Sequence, residues 1–180
     1  MTWDVMDCRI DPADPEEPTV SGACRPGYPS RNPGATAVDG WLTTVREHGI
    51  DRVCCLLDDR QLGYYDGLLD RYRRAFGDGC VTHAPIPDRT AVTPAAFART
   101  IRPALRAADR AGGRVVVHCS AGLGRTGQAL ALWLAVERGY PLDDAVATVR
   151  NHGRTPLEAV EYSRLRETHR GIRQAGDAPA

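Results

Sequence analysis

Residues 118–127, with the sequence HCSAGLGRTG, combine a cysteine, an arginine six positions later and three glycines. The segment follows the apolar run at 115–117 and leads into ALALWLAVERG, so it is predicted to join a buried strand to a helix. At such a junction backbone N–H groups converge and the positive end of the helix dipole points outward, which favours anion binding. Arg125 adds a planar fork of donors that matches two phosphate oxygens. The segment is therefore predicted to be a phosphate-binding loop.

Cys119 stands at the first position of this loop, where the N–H groups, the helix dipole and Arg125 favour a thiolate over a thiol. A thiolate below a bound phosphorus is what a covalent phosphocysteine mechanism requires. Thr126 offers a hydroxyl that can stabilise the sulfur when the intermediate breaks down. We therefore predict a hydrolase of phosphate monoesters in which the phosphate is bound by Ser120, Ala121, Gly122, Leu123, Gly124 and Arg125.

The signature HCxxGxxR[ST] is met by His118, Cys119, Gly122, Arg125 and Thr126. On these residues the chain resembles the cysteine-dependent protein tyrosine phosphatases, specifically their compact dual-specificity branch. It is also similar to the kinase-associated phosphatases of that branch, through GLGR and QLGYYDGLLDRY, over roughly residues 19–171. The resemblance implies that His118 helps to set the loop and the thiolate, that Cys119 is the nucleophile, and that Arg125 binds phosphate and stabilises the transition state.

A general acid is expected on a separate upstream segment, because a bare oxyanion is a costly leaving group that a carboxylic acid can protonate. Asp88, in HAPIPDRTAVTP, is the candidate, and in the family an aspartate follows a similar "PI" step about thirty residues before the cysteine. The alternative is a turn aspartate favoured by Pro87 and Arg89. If Asp88 is not the acid, Asp58 and Asp59 are the next candidates.

Two departures from the family refine the expectations. The segment RTPLEAVEYS lacks the glutamine that positions water in many relatives, so Asp88 is expected to act also as the base in hydrolysis. The deep phosphotyrosine-recognition loop has no evident counterpart, so we expect a shallow pocket that also accepts phosphoserine and phosphothreonine. Arg154 is expected to be solvated, with a contact to substrate phosphate as the alternative.

The substrate is predicted to be a phosphorylated protein. A phosphoinositide phosphatase is the nearest alternative, but the loop residues between Cys119 and Arg125 are uncharged, whereas that branch carries basic ones. A catalytically inactive phosphate-binding module is the other, although Cys119, Arg125 and Asp88 are all retained. No cofactor or metal is expected, and the oligomeric state is left open.

Strands and helices alternate along the chain, which predicts an α/β fold in one domain with a central, mostly parallel sheet of about five strands and helices on both faces. The predicted domain spans 19–171, between an irregular arm at 1–18 and a flexible tail at 172–180. Strands are predicted in TVSGAC, VCCLL, VTHAPIP and the run before Cys119. Helices are predicted from Thr36 to a stop at Gly49, from Leu62 to before Gly77, over 93–111 with a bend or break at Pro103, and near 126–138, 142–151 and 156–171.

Composition limits the partners. The chain has 180 residues with a formal net charge of zero, which argues against nucleic acid or an anionic membrane surface as a partner. Its start shows no signal-peptide pattern, so we expect a cytoplasmic protein whose six cysteines are mostly free thiols. Cys54 and Cys55 are predicted to point to opposite faces of a strand beside the catalytic one, where one of them could form a disulfide with oxidised Cys119, or both could simply fill the core.

Overall fold

Five strands form a single sheet in the computed structural model, which describes residues 9–176 of the chain. The strands are β1 (Asp11–Pro12), β2 (Val20–Ala23), β3 (Arg52–Cys55), β4 (Val81–His83) and β5 (Val115–His118). Their order is β1-β2-β5-β3-β4, and every pairing is parallel except that of β1 with β2. The predicted single-domain, mostly parallel α/β fold is confirmed.

The central strand β5 positions the loop. It pairs with β2 on one side and with β3 on the other, and both of its faces are buried. Val115 and Val117 belong to one hydrophobic cluster, and Val116 belongs to the cluster on the opposite face. Continuous burial explains why this strand reads as an unbroken apolar run rather than an alternating pattern. His118 and Cys119 therefore lie at the carboxyl end of the middle of the sheet.

Eight α-helices cover the two faces of the sheet within the described part of the chain. They are α1 (Ala35–Glu47), α2 (Asp59–Leu62), α3 (Leu68–Phe76), α4 (Pro94–Ala96), α5 (Arg102–Arg110), α6 (Gly124–Glu137), α7 (Leu142–Asn151) and α8 (Tyr162–Gly176). Helices α1 and α3 pack in one cluster, through Trp41 and Tyr72 among others. Helices α5 to α8 pack in the other, where Trp133 is fully buried. Both tryptophans are core residues.

Two helices differ from their predicted extents, and a third is interrupted near Pro103 as predicted. The helix predicted from Leu62 to before Gly77 is divided into α2 and α3, because Gly67 takes a left-handed φ of +64°. The helix predicted over 93–111 contains a π-turn at Phe97–Ile101, directly before α5. Pro103 lacks an N–H and its ring crowds the carbonyl four residues earlier, which the wider π-turn accommodates. The last helix begins and ends later than predicted, so 172–176 are helical, while residues 1–8 and 177–180 lie outside the described part.

Four cysteines are free thiols in the structure: Cys54, Cys55, Cys80 and Cys119. Cys24 is disulfide-bonded. Cys54 and Cys55 face opposite clusters, as predicted from their adjacent positions in a strand. Over residues 9–176 no helix is long and apolar enough to cross a membrane.

Candidate active site

The predicted phosphate loop occupies the turn between β5 and α6. Helix α6 begins at Gly124 after Leu123, and no side chain caps its N–H groups. The first turn of α6 carries no acidic residue of its own, so its backbone N–H groups point toward the loop without a carboxylate from the same turn. The local geometry therefore suits an anion at this helix terminus.

Gly122 is required by close packing beneath the loop. Its φ is +75°, and a Cβ built there would lie 2.4 Å from the carbonyl oxygen of Ala23. The loop can therefore pass over the end of β2 only if this residue is glycine.

Two buried arginines hold the loop from outside. Arg25 donates its backbone N–H to the carbonyl of Ser120 at 3.0 Å and its Nε–H to the Ser120 hydroxyl at 3.1 Å. Arg154 donates to the carbonyl oxygens of Gly122, at 2.7 Å, and Gly22, at 2.6 Å. Arg154 is only 5% exposed, so the expectation of a solvated arginine is wrong. Its side chain therefore ties the phosphate loop to strand β2.

A pocket of about 180 Å³ opens above the loop. The loop residues that line it are Cys119, Ser120, Ala121, Leu123, Gly124 and Arg125. Other segments contribute Tyr28, Asp88, Arg89, Thr90, Gln128, Glu158 and Ala159. The structure thus brings Cys119, Arg125 and Asp88 together. Gly122, His118 and Thr126 lie outside the lining, and the last two are fully buried.

Asp88 contacts Arg125 directly. Nη2 of Arg125 donates to Oδ1 of Asp88 at 2.9 Å, and the same oxygen accepts the N–H of Arg89. Arg125 is 4% exposed, whereas Asp88 is half-open to solvent. The Asp88 N–H in turn donates to Oδ2 of Asp58 at 3.2 Å. Asp58, a fallback candidate for the acid, caps α2 and accepts a hydrogen bond from the Asp88 segment.

Gln61 is a site residue that the sequence analysis missed. Its Oε1 accepts from Nη1 of Arg125 at 3.0 Å, and the carbonyl of Ile86 accepts from the same nitrogen at 2.8 Å. Gln61 is 2% exposed, so its side-chain amide is shielded from solvent and orients the guanidinium of Arg125. The segment QLGYYDGLLDRY contributed to the family resemblance, but no local pattern links its first residue to an arginine 64 positions away.

His118 is fully buried between the loop and Tyr72. Its Nδ1 lies 3.2 Å from the carbonyl oxygen of Cys119, and its Nε2 lies 3.1 Å from the hydroxyl of Tyr72. Burial, with smaller contributions from the charges of Arg125 and Arg25, lowers the pKa of His118 to about 4, so the ring is neutral at pH 7. A carbonyl only accepts, so Nδ1 carries the hydrogen and the Tyr72 hydroxyl donates to Nε2.

The neighbouring thiols and Thr126 have different environments. Burial raises the pKa of Cys55 to about 12, and it raises the pKa of Cys54 still further. Among the described free thiols, Cys119 is the one that lines the pocket.

The hydroxyl of Thr126 is buried with no hydrogen-bond partner among the described residues. Across residues 9–176 no group of three His, Cys, Asp or Glu side chains could hold a metal ion.

The fold and this cysteine–arginine loop define a phosphatase domain of the cysteine-dependent, dual-specificity type. A family model described as "Polymorphic toxin system, DSP-PTPase phosphatase" matches residues 30–139, more than half of the chain. The chain belongs to this family, and the resemblance drawn from the sequence is confirmed.

Solved structures agree with this assignment. The active form of Tk-PTP is 27% identical with a TM-score of 0.65, over 87% of this chain and 92% of that one. A kinase associated phosphatase with its catalytic-site cysteine replaced by serine is 19% identical with a TM-score of 0.70, over 89% of each chain. PTPMT1 in complex with PI(5)P is 14% identical with a TM-score of 0.69, over 92% of this chain and 97% of that one. The last two likenesses concern the fold alone.

Proposed function

We propose that this phosphatase hydrolyses phosphotyrosine, and also phosphoserine and phosphothreonine, in protein substrates through a covalent phosphocysteine and without a metal. The observation that supports the proposal is the convergence of Cys119, Arg125 and Asp88 on one pocket, although Asp88 comes from a different segment of the chain. A nucleophile, a phosphate-binding cation and a proton donor are the groups that this reaction needs.

In the first step the Cys119 thiolate attacks phosphorus, an S–P bond forms and the P–O bond to the leaving group breaks. Asp88 gives its proton to the departing oxygen, while Arg125 and the loop N–H groups hold the other phosphate oxygens. In the second step water attacks the phosphocysteine, the Asp88 carboxylate takes a proton from that water, and the S–P bond breaks.

His118 and Thr126 act from behind the loop in this mechanism. The Nδ1–H of His118 fixes the carbonyl of Cys119 and thereby the direction of the thiol-bearing residue. The buried Thr126 hydroxyl has a hydrogen to donate, and the sulfur that leaves in the second step is the acceptor that we assign to it.

The test is phosphate release from a phosphotyrosine peptide in the presence of a chelator. Cys119→Ser should abolish turnover but retain phosphate binding, because serine keeps the shape and lacks the reactive sulfur. Arg125→Ala should lose both binding and rate. Cys80→Ser, at a partly buried thiol outside the pocket lining, is the matched control and should behave as wild type. Appreciable turnover by Cys119→Ser, or loss of activity on chelation, would contradict the mechanism.

The two alternatives are outcomes of the same assay. Greater turnover of phosphoinositides than of phosphopeptides would replace the protein substrate with a lipid one. Binding of phosphopeptides without any turnover would identify a phosphate-binding module. The carboxylates of Asp88 and Glu158 in the pocket lining favour a substrate with a single phosphate over a polyphosphorylated headgroup.

The family is described as part of polymorphic toxin systems, and we extend that setting to this chain. The phosphatase activity would then be the toxic activity. Expression of the wild-type chain should slow the growth of a susceptible cell, and Cys119→Ser should relieve the effect at equal protein level. Equal toxicity of both proteins would show that toxicity does not depend on the phosphatase activity.

A cytoplasmic location remains a prediction. The free thiols are typical of a reducing compartment, whereas the disulfide at Cys24 is typical of an oxidising one. Fractionation of cells that express the tagged protein would decide between them.

A further inference from the structure

Tyr28 gives the candidate active site an aromatic wall. It lies in the segment between β2 and α1, it is partly buried, and it lines the same pocket as Cys119 and Asp88. Among the described residues that line the pocket, Tyr28 is the only aromatic one. A pocket without a phosphotyrosine-recognition loop was expected to accept phosphoserine and phosphothreonine as well, and this ring gives the pocket a basis for discriminating among them.

Arg25 holds the ring of Tyr28 in place. The guanidinium carbon of Arg25 lies 5.5 Å from the centroid of the Tyr28 ring, within the range of a cation–π contact. Arg25 is 2% exposed and is itself fixed by hydrogen bonds from its side chain to Ser120, Tyr65 and Pro29. The Tyr28 N–H also donates to the carbonyl of Arg25 at 3.3 Å. One buried arginine therefore ties both the phosphate loop and the aromatic wall to the same framework.

We propose that Tyr28 is a specificity-determining residue that packs against the ring of a bound phosphotyrosine and so favours aryl over alkyl phosphate esters. Aromatic rings gain from contact with each other beyond the area they bury. The methylene of phosphoserine is too short and too small to make that contact, so Tyr28 adds little to its binding. The inference deepens the proposed function by naming the preferred substrate class, although it concerns binding and does not require turnover.

Binding is measured in the Cys119→Ser background with one peptide prepared in phosphotyrosine and phosphoserine forms. Tyr28→Ala should weaken binding of the phosphotyrosine peptide by about tenfold, whereas binding of the phosphoserine peptide should stay within about twofold. Tyr28→Phe keeps the ring and should retain the preference.

Tyr64→Ala is the matched control, because Tyr64 also lies against Arg25, at 5.1 Å, but is outside the pocket lining. Its ratio of the two affinities should equal that of the parent. Inorganic phosphate serves as a second probe, and its affinity should be the same in all variants if the loop is intact.

Equal losses for both peptides in Tyr28→Ala, an unchanged affinity for phosphotyrosine, or a loss of inorganic phosphate binding would each overturn the inference. The last result would make Tyr28 a support of the loop. Failure of the wild-type protein to release phosphate from either peptide would overturn the proposed function alone, because the binding preference is measured without turnover.

Discussion

Nη2 of Arg125 lies 2.9 Å from Oδ1 of Asp88, so the proposed phosphate-binding side chain is paired with the proposed general acid. A bound phosphate dianion competes for the same guanidinium and places negative charge beside Asp88. Substrate binding therefore brings a second negative group to the guanidinium that Asp88 contacts, which links the phosphate site to the proposed general acid.

Asp88→Asn tests the acid directly, because the amide can still accept a hydrogen bond from Arg125 but cannot supply a proton. Alcohols and phenols that leave poorly should be released about a hundredfold more slowly or worse. Strongly acidic leaving groups need little protonation and should be affected far less. Rates for a series of aryl phosphates with both proteins measure the difference. Equal losses across the series would restrict Asp88 to a structural role.

Gln61→Leu tests the orientation of Arg125. Loss of the amide acceptor leaves an N–H of a buried guanidinium without one of its partners, so the affinity for inorganic phosphate should fall by about tenfold. Competitive inhibition by phosphate measures this, and the unfolding midpoint is recorded in parallel. A lower midpoint with an unchanged inhibition constant would show that Gln61 serves the fold and not the arginine.

Burial of His118 makes stability depend on pH. Its pKa is about 4 in the folded protein against an ordinary 6.5, so only the unfolded chain gains this proton as the pH falls from 6.5 toward 4. Above pH 6.5 the free energy of unfolding is not reduced by this group. By pH 4 the free energy of unfolding has fallen by about 3 kcal/mol, because the pKa differs between 6.5 in the unfolded chain and about 4 in the folded protein and each pKa unit corresponds to 1.36 kcal/mol.

Urea unfolding at pH 7.5 and pH 4 measures that loss. Other groups titrate over this interval, so His118→Asn is the reference, and its stability should fall by less between the two values. NMR titration of the imidazole is an independent readout. A His118 ring that titrates near its ordinary pKa would refute the prediction.

Gly122→Ala and Gly139→Ala distinguish backbone strain from close packing as the reason for a glycine at position 122. Both residues have a φ of +75°, but a Cβ at Gly139 meets nothing within 4 Å, whereas one at Gly122 meets the backbone of Ala23. Gly139→Ala should cost only the backbone strain, about 1 kcal/mol, and retain activity. Gly122→Ala should displace the loop and lose most phosphate binding. Equal behaviour of the two variants in unfolding and phosphate-binding assays would show that the contact with Ala23 is unimportant.

Oxidation by peroxide tests the predicted link between Cys119 and its neighbours. The raised pKa values of Cys54 and Cys55 keep both thiols protonated at neutral pH, which makes them poor partners for a sulfenic acid. Mass mapping should therefore recover Cys119 in its sulfinic or sulfonic form. A disulfide from Cys119 to Cys54 or Cys55 would instead establish the redox hypothesis.

The phosphate loop could be predicted because its strand, turn and helix are contiguous in sequence, so that composition and spacing are informative together. Arg154 and Gln61 could not be, because their partners are distant: Arg154 bonds to Gly22, 132 positions away. An arginine in a polar segment looks solvated until the fold places backbone carbonyls around it. The division between α2 and α3 was missed for a local reason, because a glycine within an apolar pattern does not reveal its left-handed φ in the sequence.

The pairing of β2 with β5 has a consequence for how the protein can be dissected. The region matched by the family model begins at residue 30, after β2, Arg25 and Tyr28, and ends at 139, before Arg154. A fragment cut to those limits would turn β5 into an edge strand with unpaired backbone groups and would release the loop on the Arg25 and Arg154 sides. A unit that keeps the loop supported on both sides is therefore longer than the stretch that the family model matches.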